Sequence, residues 1–292
     1  GAIADYSKAI EINPQDANAF GNRGLAKSKL GDHQGAIADY SKAIEINPQY
    51  ADAYNNRGNA KSNLKDYQGA IADYSKAIEI NPQDANVFGN RGLAKGELGD
   101  HQGAIADYTK VIEINPTDAN AYFYRCIAKE KSGDDQGAIG DLNEAIQINP
   151  QYADFFVNRG FSKGEIVDHQ GAITDYNKAI EINPQDANAY YYRGFSKEEL
   201  KDRQGAIADY SKAIEINPQY ANAYKNRGGA KNALKDHHGA IADYSKAIEI
   251  DANNYTYYSL RGGSKYDLGD YQGAIFDYNR AIEINPEDAY LY

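Results

Sequence analysis

A repeat of 34 residues runs through the whole chain and constrains its fold more than any other feature of the sequence. The segment Gly-Ala-Ile recurs without insertion or deletion, and its nine copies begin at Gly1, Gly35, Gly69, Gly103, Gly137, Gly171, Gly205, Gly239 and Gly273. Prolines keep the same spacing at Pro14, Pro48, Pro82, Pro116, Pro150, Pro184, Pro218 and Pro286, and Ala252 is the one break in their series. A spacing this regular indicates an array of equivalent units that share a core between neighbours.

Each unit carries two runs of residues at helical spacing. In residues 51–84, Tyr54, Gly58 and Lys61 predict a first helix, and a second run starts at Ala70. Asp66 is placed to cap the second helix through its carboxylate. An Asn-Pro pair ends it, because proline disfavours helical geometry in the residue before it. The pattern therefore predicts two short antiparallel helices per unit, joined by a tight turn.

The predicted turn and the predicted helix contact both use small residues. A left-handed residue is expected to end the first helix, and that position is Gly31, Lys65, Gly99, Gly133, Val167, Lys201, Lys235 or Gly269. Glycine also recurs inside the first helix, at Gly24, Gly58, Gly92, Gly160, Gly194, Gly228 and Gly262. We expect these glycines to let the two helices approach closely, with a ring such as Phe20 or Tyr54 wedged beside them.

The unit resembles the tetratricopeptide repeat, which has aromatic, Gly, Ala, aromatic, Ala and Pro residues at these intervals. The resemblance implies an all-α solenoid of antiparallel helix pairs that forms a right-handed superhelix. It covers the chain as a single domain, 1–292, with a trailing half repeat in 1–16, eight repeats in 17–288 and the start of a further helix in 289–292. Because the chain begins inside a repeat without an initiator Met, we expect a segment of a longer protein.

The sequence departs from the family where Leu and Tyr are common and this chain has Arg and Lys, as at Arg57 and Lys61. One arginine recurs in each first helix and one aspartate, as at Asp73, in each second helix. We expect a ladder of Arg–Asp pairs between neighbouring helices. The alternative is that some of these charges bind a ligand.

Charge and composition limit the classes of partner. The net charge of −11 and the pI near 5.0 disfavour nucleic acid, whose phosphates would be repelled, and favour basic peptides or protein surfaces. No run reaches the roughly 18 apolar residues of a membrane helix, so no membrane partner is expected. Cys126 is the single cysteine and leaves the redox compartment open, with the cytoplasm as the default expectation.

The repeat pattern also disfavours catalysis. A catalytic site needs different residues converging on one point, whereas copies translated by 34 residues cannot converge. His33, His101, His169 and His237 occupy one solvated turn position, and Cys126 replaces a packing glycine. We therefore predict no enzyme activity, no cofactor and no metal site.

One stripe of each first helix varies between units while the rest of the unit repeats. In residues 51–84 this stripe includes Asp52, Asn55 and Asn59. The resemblance implies that such stripes line the concave groove in which tetratricopeptide proteins bind peptides. Three central units place apolar residues there, at Phe123, Ile127, Val157, Phe161, Tyr191 and Phe195. Acidic residues follow one turn later at Glu130, Glu165, Glu198 and Glu199.

These ten residues form the predicted peptide-binding groove, because a contiguous exposed apolar patch usually marks a contact. The predicted partner is a protein or peptide with an apolar stretch flanked by basic residues. The packing alternative is that the rings only contact the following helix. Acidic residues outnumber basic ones along the stripes. The stripes are therefore net negative and would repel the acidic chaperone tails that some family members bind.

Two other functions remain open at the level of the sequence. The chain is also consistent with an architectural solenoid that associates head to tail with further copies. A regulatory segment of a larger protein is the other alternative, since function in such folds lies in the partners.

Overall fold

Seventeen α-helices follow one another in residues 1–287, the part of the chain that the computed structural model describes, and this range contains no strand. The predicted last residue of the eighth repeat, 288, and the predicted further helix at 289–292 lie outside the described residues. The helices divide between two compact units of several repeats each, which we call the first unit, Gly1–Ile148, and the second unit, Asn149–Tyr292. The single domain over 1–292 stays a prediction.

The bounds of the helices follow the 34-residue spacing. The first unit contains α1 Ala2–Ile12, α2 Ala17–Lys29, α3 His33–Ile46, α4 Ala51–Asn63, α5 Tyr67–Ile80, α6 Ala85–Glu97, α7 His101–Ile114, α8 Ala119–Lys131 and α9 Asp135–Ile148. The second unit contains α10 Ala153–Glu165, α11 His169–Ile182, α12 Ala187–Glu199, α13 Arg203–Ile216, α14 Ala221–Ala233, α15 His237–Ile250, α16 Tyr255–Asp267 and α17 Tyr271–Ile284.

The turn between α4 and α5 shows how the sequence makes each helix pair. Lys65 follows the end of α4 with φ of 63°, the left-handed conformation predicted for this position. The carboxylate of Asp66 then accepts a hydrogen bond from the Gly69 backbone N–H at 2.9 Å and caps α5. The same positive φ occurs at all the predicted turn positions, Gly31, Lys65, Gly99, Gly133, Val167, Lys201, Lys235 and Gly269.

Contacts across each pair establish its antiparallel direction. In the α4–α5 pair, Lys61 Nζ donates to the Gly69 carbonyl at 3.4 Å, and Arg57 Nη2 lies 2.6 Å from Asp73 Oδ1. The partners are thus eight and then sixteen residues apart, which requires the helices to run in opposite directions. Within each unit every helix also packs on the helix before and after it.

The close approach of the paired helices depends on glycine, as predicted, but the ring involved is a different one. A Cβ atom on Gly58 would lie 2.6 Å from Cε1 of Tyr74, a side chain only 2% exposed. The expected ring of Tyr54 packs against the cluster that contains Ala70 and Tyr74, but it is not the ring nearest to Gly58. The second helix supplies the ring because Tyr74 lies directly opposite Gly58.

The predicted Arg–Asp ladder is confirmed, and a lysine completes each step. Arg57 donates to both carboxylate oxygens of Asp73, at 2.9 and 2.6 Å, while Lys61 Nζ lies 2.8 Å from the same carboxylate. Arg57 also donates to Ser41 Oγ of the preceding repeat at 3.0 Å and lies over the Tyr54 ring. The ladder pairs are Arg23–Asp39, Arg57–Asp73, Arg91–Asp107, Arg125–Asp141, Arg159–Asp175, Arg193–Asp209, Arg227–Asp243 and Arg261–Asp277.

Candidate functional site

In the second unit the predicted stripe lies on the neighbouring first helices α10 and α12. Phe161 of α10 is 39% exposed and Phe195 of α12 is 43% exposed, so both rings reach solvent. Val157 and Tyr191, one turn earlier on the same helices, are half-buried. The two phenylalanines therefore offer apolar surface to a partner.

Three adjacent cavities follow this stripe within the second unit. Val157 and Tyr192 line the first, Tyr192 also lines the second together with Phe161 and Phe195, and Phe195 lines the third with Glu198. The first and second cavities thus share Tyr192, and the second and third share Phe195. Glu199 lines the third cavity as well and is exposed.

The middle cavity, which we call the aromatic pocket, has a volume of about 170 Å³ and is lined by Phe161, Gly164, Glu165, Tyr176, Tyr191, Tyr192, Phe195 and Ser196. Tyr192 organises its rings. The Tyr192 ring is stacked on Tyr176 at 6.1 Å between centroids and meets the rings of Phe161 and Tyr191 edge-on at 5.7 and 5.2 Å. Rings held by other rings form a rigid wall.

Gly164 leaves the aromatic pocket open. A Cβ atom at this position would meet no other atom within 4 Å, so the missing side chain is a real gap in the surface of α10. The equivalent residue 34 positions later is Glu198, whose carboxylate accepts a hydrogen bond from Tyr210 Oη at 2.9 Å. A larger residue at this position thus occupies the space that Gly164 leaves empty, while the tyrosine of the second helix is buried in both repeats.

The pocket is electrically negative at its rim. Glu165 is exposed and is the one charged residue among those that line it. Burial, together with the neighbouring Tyr192 and the carboxylates of Asp175 and Glu165, raises the pKa of Tyr176, so its hydroxyl stays neutral at pH 7. Neutral rings beneath one carboxylate favour a cation over an anion.

Tyr191 contributes more to packing than to the open surface. Its Oη accepts a hydrogen bond from Asn226 Nδ2 at 3.1 Å, and its ring lies 4.9 Å from Tyr220 and 5.8 Å from Tyr210. The packing alternative therefore describes Tyr191 well. It does not account for the exposed parts of the Phe161 and Phe195 rings, although Phe161 also meets Tyr192 edge-on.

The first unit contains an equivalent cavity, which we call the first-unit pocket. It is lined by Gly92, Leu93, Gly96, Glu97, His101, Ala104, Tyr108, Tyr124, Ile127, Ala128 and Lys131. Tyr124 is stacked on Tyr108 at 5.8 Å, as Tyr192 is on Tyr176, and Gly96 corresponds to Gly164. Its rim carries both Glu97 and Lys131, so its charges offset one another.

The other two predicted residues of the first unit lie outside that cavity's lining. Phe123 is half-buried, and its ring lies 5.8 Å from that of Tyr124. Glu130 is half-buried as well. Of the three residues predicted here, Ile127 is the one that borders the first-unit pocket.

Sequence reasoning missed four residues that shape these two pockets: Tyr124 and Tyr192, which supply rings, and Gly96 and Gly164, which leave space. A signal for the tyrosines was present. The residue before the ladder arginine is asparagine in most repeats, at Asn22, Asn56, Asn90, Asn158 and Asn226, and tyrosine replaces it at these two positions.

Groups of possible catalytic interest are placed as packing residues. Burial raises the pKa of the Cys126 thiol, which keeps it from acting as a thiolate at neutral pH. His33 and His169 differ from the prediction of a solvated turn, since the buried Nδ1 of each half-buried ring has no hydrogen-bond partner among the described residues. His237 Nδ1 lies 2.7 Å from Asn232 Oδ1.

Two features of residues 1–287 bear on other classes of function. Within that range, no three or more His, Cys, Asp or Glu side chains are grouped so that they would hold a metal ion. None of the helices described there has the length and apolarity needed to cross a membrane.

Sequence profiles for one family match most of the chain. Profiles described as "Tetratricopeptide repeat" match residues 51–84, 85–118, 187–220, 221–254 and 255–288, and one described as "TPR repeat" matches residues 1–31, 28–65 and 168–201. A comparison with curated protein sequences returned no match.

Solved structures of repeat proteins share the fold. YrrB, described as a TPR protein with an unusual peptide-binding site, is 26% identical with a TM-score of 0.57, over 63% of this chain and 95% of its own. A MamA protein is 28% identical with a TM-score of 0.55, over 59% and 94%. A tetratricopeptide repeat protein from Parabacteroides merdae is 20% identical with a TM-score of 0.64, over 86% and 99%, and this likeness concerns the fold alone.

Proposed function

Because the chain belongs to the tetratricopeptide-repeat family, we propose that it is a non-catalytic scaffold that binds a peptide segment along the stripe of its first helices. The fold is one that generally serves protein interaction. The proposed binding residues are those predicted from the sequence, with Phe161 and Phe195 at the centre. The partner is a protein or peptide whose apolar stretch is flanked by basic residues.

The observation that carries this proposal is the shared exposure of Phe161 and Phe195. Two large apolar rings on neighbouring helices border one cavity and remain accessible to solvent. Exposed apolar surface of this kind usually marks an interaction site. The unusual peptide-binding site named for YrrB, at 26% identity, adds support for the same class of ligand.

Charge supports the basic flanks of the ligand. Glu165 and Glu199 are exposed beside the two rings, Glu199 in a cavity that Lys201 and Arg203 also line, and the chain as a whole carries a net charge of −11. A peptide with lysine or arginine on either side of an apolar core would place positive charge near these carboxylates. An acidic peptide would be repelled.

A random peptide display library selected on the immobilised chain tests the proposal. We expect the selected sequences to share an apolar core with basic flanks. The double variant Phe161→Asp/Phe195→Asp should bind the selected peptides at least about tenfold more weakly, because charge replaces the apolar contact. Binding is measured by fluorescence anisotropy with the labelled peptide.

Phe276→Asp is the matched control, since Phe276 is 61% exposed on α17 and lines none of the three cavities. It carries the same change of residue type and should bind the selected peptides as the wild type does. Circular dichroism verifies that each variant keeps its helices. Equal peptide binding by the double variant and the wild type would refute the proposed site.

Self-association is the second candidate, and the apolar surface of α17 favours it. Tyr271, Ile275 and Phe276 are all exposed on this helix. A second copy that packs on them would extend the array by a head-to-tail contact. Sedimentation at rising concentration decides, since a constant monomer mass removes this candidate.

A further inference from the structure

We propose that the aromatic pocket is an arginine-specific subsite: it takes the guanidinium group of one arginine side chain of the bound peptide, between its rings and the carboxylate of Glu165. This inference rests on the proposed function and gives the basic flank of the ligand a defined position. The first-unit pocket, despite its equivalent place in the repeat, does not share this preference.

The rings of the pocket provide the surface that a guanidinium group requires. Tyr192 is fixed by stacking on Tyr176 and by edge contacts with Phe161 and Tyr191, so the aromatic faces are already positioned before a ligand arrives. The face of an aromatic ring attracts a cation within about 6 Å of its centroid. The chain uses this contact elsewhere, since Arg193 lies 5.3 Å from the centroid of the Tyr190 ring.

The ladder arginines also show why the pocket lacks a cation of its own. Arg193 donates to both carboxylate oxygens of Asp209, and Lys197 binds the same carboxylate, so these cations are committed to the ladder. Glu165 is the charged residue in the lining of the aromatic pocket, and it is exposed. A carboxylate beside neutral rings calls for a positive partner from the ligand.

The opening of the pocket fits a long, narrow side chain. Gly164 removes one side chain from the wall, and the cavity of about 170 Å³ reaches down to Tyr176. Arginine has a flat head that stacks on rings and five N–H groups that match a carboxylate. Lysine has a compact and strongly hydrated ammonium group, which gains less from the same walls.

The first-unit pocket shows which features carry this specificity. It keeps the stacked tyrosine pair and the glycine, but Leu93 and Ile127 replace Phe161 and Phe195 as walls. Lys131 stands at its rim and opposes a second cation. A pocket with fewer aromatic walls and balanced charges accepts a neutral apolar side chain in preference to arginine.

The test uses two tripeptides that differ in charge and little in shape, acetyl-Ala-Arg-Ala-amide and its citrulline counterpart. Each is titrated into the ¹⁵N-labelled chain, and amide shifts are followed by NMR. We expect the arginine peptide to shift the amides of Gly164 and Ser196 and to bind about tenfold more tightly than the citrulline peptide. The lysine tripeptide should bind more weakly than the arginine one.

Two variants locate the binding. Gly164→Leu fills the pocket and should abolish the arginine-dependent shifts, and the fold should tolerate it because a Cβ there meets no atom within 4 Å. Glu165→Gln keeps the shape of an exposed side chain and should weaken binding several-fold. The control is Gly140→Leu on α9, where a Cβ also meets no atom within 4 Å and where neither pocket lies.

Three results would overturn the arginine subsite: equal affinity for arginine and citrulline, equal affinity for arginine and lysine, or shifts unaffected by Gly164→Leu. If the library-selected peptides still depend on Phe161 and Phe195 in that case, the scaffold stands and the subsite alone fails. If binding of the library-selected peptides does not depend on Phe161 and Phe195 while the arginine tripeptide still binds, the arginine subsite stands and the proposed groove fails.

Discussion

Glycine has two opposite roles in the first helices, and the difference lies in what faces it. Gly58 lies against the Tyr74 ring, whereas Gly164 faces open space beside the aromatic pocket. The fourth full repeat supports the first role: it has Cys126 in place of the packing glycine and Leu142 in place of the facing tyrosine, and both are fully buried. A larger residue is accommodated there when its opposite residue is smaller.

Alanine substitution at the two glycines should therefore change stability in opposite directions. Gly58→Ala brings a methyl group to 2.6 Å from a ring that cannot move aside, because Tyr74 is buried and donates to Asn59 Oδ1. We expect a loss of about 1–3 kcal/mol from overpacking. Gly164→Ala should gain about 0.5–1 kcal/mol, because alanine is the better helix former. Urea denaturation measures both, and a gain at Gly58 would contradict this account of the helix contact.

The ion ladder acts between elements, because each step joins the two helices of a repeat, and the steps inside one unit also reach the second helix of the repeat before. At the first step Arg23 and Lys27 of α2 hold Asp39 of α3, and Arg23 also donates to Ser7 of α1. The side chain of Asp39 is 5% exposed, so its charge depends on these partners. Removing the carboxylate would leave two cations opposing one another.

Asp39→Asn should destabilise the chain by about 3 kcal/mol at pH 7. Burial raises the pKa of Asp39, but the hydrogen bonds from Arg23 and Lys27 outweigh burial and hold the pKa below its ordinary value of 3.8. A carboxyl whose pKa is lowered by folding stabilises the native state above the unfolded pKa and loses that contribution as pH falls through the folded one. The gap between variant and wild type should therefore narrow as the pH falls below 3.8.

Urea midpoints at pH 7, 5 and 3 check this pH dependence. Glu45→Gln in the same helix is the control, because the pair of Glu45 with Lys42 is exposed and contributes little. A gap for Asp39→Asn that persists unchanged at pH 3 would show that shape rather than charge is lost.

Most of the elements could be predicted from the sequence, since the 34-residue spacing fixes helices, turns and ladder together. The left-handed turn at Lys65 and the pairing of Arg57 with Asp73 follow directly from equivalent positions in other repeats. The ring facing Gly58 could not be assigned, because Tyr54 and Tyr74 are both aromatic and only the register of the two helices chooses between them. Helix spacing alone does not fix that register.

The candidate site was predictable as a stripe but not as a pocket. Phe161 and Phe195 were identified because three consecutive repeats place large apolar residues on the stripe, and they border one cavity in the structure. Tyr192 and Gly164 were missed, because a pocket depends on side chains of adjacent helices and on space left by an absent one. Exposure of Phe161 and burial of Tyr191 likewise depend on packing that a single helix does not reveal.

At the scale of the whole molecule, stability and function use different positions of the same repeat. The ladder and the glycine–tyrosine contact recur almost without change, while the residues of the stripe differ from one repeat to the next. Identical copies cannot converge on one point, so specificity arises where one repeat departs from its neighbours, as at Gly164 and Tyr192. The net charge of −11 supports the proposed preference for basic partners.

Stability in such an array is expected to be local, since each helix packs mainly on its immediate neighbours. Tyr74→Ala removes a ring that is 2% exposed on α5 and should quicken amide hydrogen exchange in α4 to α7 while leaving α14 to α17 unchanged. Tyr244→Ala, the equivalent change on α15, should give the reverse pattern and serves as its control. Exchange resolved by peptide mass spectrometry measures both. Equal acceleration in every helix for either variant would mean that the chain opens as one cooperative body, and the nearest-neighbour description of its energetics would then be wrong.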